Sequence, residues 1–238
     1  MKRICKTTIL VSVLALTTRL AYAVDYTETS TTYNSHDLIA SAETIAAGAA
    51  SLDHIVGTLS INQGTGLSEM GDVYKIFISD PANFSASTTS LAGGKNGFDT
   101  QLFLFRLDGT GIAVNDDKPP GSQSLLPAGN SLYSGLTQGY YYLVIDGSGS
   151  YPADSSGVRI FPNQPEGADP TGVYGPKNGT PNETNSPFTQ YSGTSNQGGT
   201  YSIALTGVTI SAVPEPSSVA LIFGTAMAGA IWRMKRRS

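Results

Sequence analysis

The stretch "FDTQLFLFRLDGTGIAVNDD" occupies residues 98–117, and its reading decides the fold. Thr100 to Leu107 is nearly all apolar, as a central strand of a sandwich core is. Asp108-Gly109 between apolar runs is a strong hairpin signal, because both residues accept the positive φ of a type I′ turn. Gly111 to Asn115 then reads as the return strand. Asn115-Asp116-Asp117 ends it, and Pro119-Pro120-Gly121 forces the chain out of the sheet.

The same grammar runs outward in both directions. His54–Ile61 reads as the first convincing strand. Asp72–Ser79 alternates, with Tyr74, Ile76 and Ile78 on one face and Val73, Lys75 and Phe77 on the other. Asn83–Thr88 is a further strand, and Gly139–Gly147 is the most β-prone stretch of the chain. Thr200–Ser211 is the last strand, with Gly207 expected as a bulge that resets its register. Val24–His36 reads as a loose polar lead-in and Asp37–Ala50 as a weak, short helix. Residues 148–198 are rich in Gly, Pro, Asn and Ser and read as a mobile surface insertion holding one short strand, Val158–Phe161. Eight to nine strands and almost no helix predict an all-β fold, an antiparallel jelly-roll-like β-sandwich. The expected layout is a signal peptide (1–23), a lead-in (24–53), the sandwich (54–211) with its insertion, and a C-terminal segment (212–238).

The two ends carry targeting signals. Lys2, Arg3 and Lys6, the apolar run Ile9–Leu16 and Ala21-Tyr22-Ala23 form a secretory signal peptide. The single cysteine, Cys5, lies inside it, so the mature chain needs no disulfides. Eight of the 14 basic residues sit in the two terminal segments. Residues 24–232 hold six basic against 18 acidic residues, a formal charge of −12. Such a surface repels nucleic acid and anionic lipid and tolerates cations.

At the other end Ser217–Trp232 is apolar and is followed by Arg233, Lys235, Arg236 and Arg237, which read as a stop-transfer cluster after one transmembrane helix. Val213, Pro214, Glu215 and Pro216 precede that helix. The order Pro-Glu-Pro, hydrophobic segment and basic cluster resembles the PEP-CTERM sorting signal of bacteria that make extracellular polysaccharide. The resemblance implies the general secretion machinery and an exosortase as processing partners, with transient tethering in the inner membrane. It also implies cleavage near Val213–Pro216, a periplasmic ectodomain in the precursor, and a final place at the cell surface or in the exopolysaccharide matrix.

Residues 98–117, with "DVYKIFI" upstream and "GYYYLVIDG" downstream, are also similar to bacterial pre-peptidase C-terminal domains. That resemblance spans roughly residues 54–147 and the last strand, and the 148–198 segment departs from it. It implies a jelly-roll-like sandwich that serves as an accessory module, in some members with calcium.

Asp99, Asp108, Asn115, Asp116 and Asp117 cluster around one hairpin, and calcium is the cofactor that such oxygens hold. They are equally the ordinary residues of tight turns, and no cofactor is required by the sequence. Tyr151, Tyr174 and Tyr191 in the insertion are candidate glycan contacts, since tyrosine offers a flat apolar face with a polar tip. The histidines, His36 and His54, stand in no catalytic motif, and no G-x-S-x-G, H-E-x-x-H or phosphate loop is present. The reading is a non-catalytic surface or matrix protein. A calcium-dependent carbohydrate-binding module is the alternative, and a small secreted hydrolase the third.

Overall fold

The computed structural model describes residues 23–29, 32–90, 98–161, 172–176 and 185–211. The expected signal peptide, up to Tyr22, and the segment 212–238, with its sorting motif, expected transmembrane helix and basic cluster, lie outside the described residues. Among the described residues no helix is long and apolar enough to cross a membrane.

The chain is all-β. Its strands are β1 (Ala23–Thr27), β2 (Glu43–Thr44), β3 (Ala50–Leu59), β4 (Asp72–Ile78), β5 (Ser85–Ser90), β6 (Thr100–Phe105), β7 (Gly111–Asn115), β8 (Leu125–Leu126), β9 (Gly139–Gly147), β10 (Ser150–Ala153), β11 (Gln190–Gly193), β12 (Gly199–Thr206) and β13 (Val208–Ile210). One layer is β7-β6-β9-β4, and the other is β1-β3-β12-β5-β8. They join because the last strand changes partner. β12 pairs with β5, and after Gly207 the chain continues as β13 against β4, while β3 flanks both pieces. Gly207 is therefore a corner between layers, with a two-residue register shift against β3. At the other edge, hydroxyls draw the layers together. Thr88 Oγ1 and Thr100 Oγ1 lie 2.7 Å apart, and Thr100 Oγ1 and Ser124 Oγ 3.0 Å apart, all buried. The result is a sandwich that nearly closes into a barrel.

Alternation fills the interior as the sequence predicts. Tyr74, Ile76 and Ile78 join Leu52, Ile55, Leu104 and Ile203 in the main core. Every residue of β6 is buried. Leu102 and Leu104 face the main core, and Phe103 and Phe105 face outward into a second cluster with Val73, Val114 and Val144. That outer face is covered by Ile160, Phe161 and Phe188 from the segment expected to be a mobile insertion. The Phe161 ring lies 5.6 Å from Phe103 and 5.4 Å from Phe105, and Phe188 stacks on Phe105 at 5.3 Å. A Cβ on Gly111 would come within 2.7 Å of the Phe161 ring, so the cover closes onto β7 only because that position is glycine. The described parts of the segment are thus integral to the fold. β10 and β11 form an antiparallel pair within it, and Val158–Phe161 is not a strand.

The hairpin after β6 is not type I′. Gly109 N–H donates to Arg106 O and Arg106 N–H to Thr110 O, a three-residue loop. Gly109 has φ +82°, and Asn34 is the only non-glycine residue with positive φ among the described residues. The turn is thus type I with glycine in the left-handed position, and Asp108 instead accepts hydrogen bonds from the Thr110 amide and hydroxyl. The lead-in also differs from expectation. Ala23–Thr27 pairs in parallel with β3, and the expected helix is only a 3-10 turn, Ile39–Ser41, followed by β2. Its small residues and Gly48 give no amphipathic stripe to hold a longer helix.

Candidate functional site

β6 and β7 together deliver three carboxylates to one place. Asp99 enters β6, and Asp116 and Asp117 leave β7. Antiparallel pairing sets Leu102 against Asn115, which brings the start of one strand beside the end of the other. Asp99, Asp116 and Asp117 each offer an oxygen, and these atoms lie within 4.8 Å of one another. Oxygens bound to one calcium ion at ~2.4 Å satisfy that spacing.

The surroundings supply few donors. Asp99 Oδ1, Asp116 Oδ1 and the buried Gln101 Oε1 have no hydrogen-bond partner among the described residues. Burial, then the Asp117 charge, raises the Asp99 carboxyl to about 6. Burial, then the charges of Asp99 and Asp117, raises Asp116 to about 7. Asp117 is raised by burial alone. Each shift marks a carboxylate short of compensating charge. All three residues are partly exposed, although Asp99 Oδ1 and Asp116 Oδ1 are buried.

Asn115 and Asp108 do other work. Asn115 is a peg: its Oδ1 accepts from the Leu125 amide at 2.6 Å, and its Nδ2 donates to Asp117 O at 3.1 Å and Gly172 O at 3.0 Å. It fixes the loop that carries Asp116 and Asp117. Asp108 sits across the turn at the opposite end of the hairpin, where the Thr110 bonds lower its pKa. The cation group thus narrows from five expected residues to three.

The tyrosines do not form an open platform. Arg159 lies 4.0 Å over the Tyr151 ring. Tyr174 and Tyr191 pack against the second core cluster, and Tyr191 meets Phe188 edge-on at 5.0 Å. Their faces are occupied by protein.

A second acidic group escaped the sequence reading. Glu28, Asp37, Glu43, Glu69 and Asp72 are all buried and come from four stretches of the chain, Glu69 and Asp72 sharing one. Asp72 Oδ2 accepts a 2.5 Å hydrogen bond from Tyr201, whose hydroxyl lies 2.7 Å from that of Tyr74. Nothing local in the sequence marks these acids, because only long-range pairing assembles them.

The sites have a definite place relative to the chain ends. Ser51 pairs with Ala23 on one side and Thr209 on the other, so both ends leave the same pole, ~10 Å apart. Asp72 pairs with Ile145, Ile145 with Leu102 and Leu102 with Asn115, so both acidic groups lie at the same end of their layer. Thr209 pairs with Phe77, which places Asp72 five residues, ~17 Å, along β4 from the strand that leads to residues 212–238.

No curated protein and no solved structure matches the chain. A family model described as the PEP-CTERM protein-sorting motif matches residues 212–237. The similarity to pre-peptidase C-terminal domains finds no support in these comparisons. The motif implies an exported, exosortase-targeted protein that is anchored through its C-terminus before processing.

Proposed function

We propose that the chain is a non-catalytic module of the cell surface or exopolysaccharide matrix, released from its membrane anchor by an exosortase and steadied by calcium at Asp99, Asp116 and Asp117. The observation that carries this reading is the convergence of three carboxylates at one end of the β6–β7 hairpin, in a chain whose C-terminal segment matches a sorting motif. While the tail is held in the inner membrane the ectodomain faces the periplasm, and after cleavage it is free to meet the matrix. Calcium supplies the positive charge that the three carboxylates lack.

A calcium-dependent carbohydrate-binding role is the second reading. It is favoured by the partial exposure of all three residues, since three carboxylates leave places among the six to eight oxygens of the ion for ligand hydroxyls.

The test is fractionation of the native host with intact-mass measurement. The expected product ends near Val213–Pro216, resides in the surface or matrix fraction, and moves into the wash on chelation. Glu215→Ala is expected to hold the full-length protein in the inner membrane. A wild-type mass running through Ser238, or a processed protein that ignores chelator, overturns the proposal.

A further inference from the structure

The second acidic group has a different geometry from the first. The segment Thr32–Asp37 lies over it and is held by a few specific bonds. The Asn34 amide donates to Glu69 Oε2 at 3.0 Å, the Tyr33 hydroxyl to Ser68 O at 3.3 Å, and the Val73 amide to His36 O at 2.9 Å. His36 Nδ1 stands 3.9 Å from both Glu28 Oε1 and Glu43 Oε2. Glu28 accepts the Thr58 amide, and Glu43 accepts the Tyr26 hydroxyl.

The charges do not balance. From its own segment the group receives His36 and Asp37. From β1, β2 and the loop before β4 it receives Tyr26, Glu28, Glu43 and Glu69. From β4 and β12 it receives Asp72, Tyr74 and Tyr201. Asp146 of β9 and Tyr191 of β11 face it from beyond. Among the described residues no lysine or arginine pairs with these acids, and His36 is the only basic neighbour. Asp37 Oδ1, Glu43 Oε2 and Asp72 Oδ1 are buried without a hydrogen-bond partner among the described residues. These acids do not bring three ligand atoms within 4.8 Å, as Asp99, Asp116 and Asp117 do, so the group is not arranged around one metal ion. Protonation of Glu28, Asp37, Glu69 and Asp72 removes the repulsion.

We propose that Thr32–Asp37 is a proton-operated latch, closed over the acidic pole while Glu28, Asp37, Glu69 and Asp72 are neutral and released as they ionise. The electrostatics agree in direction. Burial, opposed by the bond from Thr58 and reinforced by Glu69 and Glu43, raises Glu28 to about 7. Burial and the Glu69 charge raise Asp37 to about 7. Burial also raises Glu69, and burial with the Glu28 charge raises Asp72 well above its ordinary value. Folded pKa values above the unfolded ones mean that closure is fully stabilised below the unfolded values. That stabilisation is lost as pH rises toward 7. Release bares Glu69 and Asp72.

The test is amide hydrogen exchange of the mature protein in chelator, corrected for intrinsic rates, at about pH 5.5 and about pH 8.5. Protection at Asn34 and Val73 is expected to fall at the higher pH by about tenfold or more beyond any fall at Leu104 of β6. Glu28→Gln, which keeps an acceptor for Thr58, and separately Asp37→Asn are each expected to flatten that dependence. Protection at 32–37 that ignores pH overturns the proposal. So does an equal loss at Leu104, which would report global unfolding, or an undiminished pH dependence in both variants.

Discussion

Phe161→Ala tests whether the segment after β9 is an integral cover or a surface addition. The side chain is 2 % exposed and touches Phe103 and Phe105. Truncating a buried phenylalanine costs about 3–5 kcal/mol, and the two lost ring contacts place this site in the upper half of that range. Against a total stability of about 5–15 kcal/mol this is a large fraction. At about 2–4 °C per kcal/mol for a domain of this size, the melting temperature should fall by roughly 8–20 °C. Urea titration followed by circular dichroism measures the change, with thermal melts as a second readout. Leu107→Ala is the control. That residue is 49 % exposed in the hairpin turn, and its truncation is expected to stay within about 0.5 kcal/mol. A Phe161→Ala loss below about 1 kcal/mol would refute the reasoning, because β6 would then not need its outer cover.

Three further outcomes follow from the same geometry. Tyr201→Phe leaves the buried Asp72 carboxyl and Tyr74 hydroxyl without a shared partner and should cost about 1–3 kcal/mol in the same titration. In chelator the protein should melt higher at acid than at alkaline pH. Asp99 near 6 and Asp116 near 7 are raised above unfolded values, so their neutral forms favour the fold and stability declines as pH rises through that window. Calcium affinity, read by calorimetry, should weaken below that window by roughly tenfold per pH unit for each displaced proton.

The legible parts of the fold were those written in local period. "DVYKIFI" alternates, and its Tyr74, Ile76 and Ile78 face the main core as read. "TQLFLF" does not alternate, and the structure shows why: both faces of β6 are covered. That run already demanded a second apolar layer. The residues that supply it, Ile160, Phe161 and Phe188, stand singly or in pairs among Gly, Pro and Asn, with no period to expose them. β1 was hidden for another reason. A parallel edge strand is specified by its partner, and "AVDYT" alone is short and polar. At the site, hairpin register made Asp99, Asp116 and Asp117 meet, which the local clustering of acids anticipated. The same clustering could not separate Asp108, at the wrong end of the hairpin, from the three that converge.

The central claim is a cation held by Asp99, Asp116 and Asp117, and calcium titration of the mature protein's melting temperature tests it most directly. Extracellular calcium modules bind at about 10⁻⁴–10⁻³ M. At about a hundredfold excess over the dissociation constant, binding adds about 2.7 kcal/mol, which is roughly 5–10 °C for a domain of this size. The account predicts that rise in the wild type, its loss in Asp116→Asn, and its retention in Asp108→Asn. An unchanged melting temperature at saturating calcium, or a rise that survives Asp116→Asn, would contradict it.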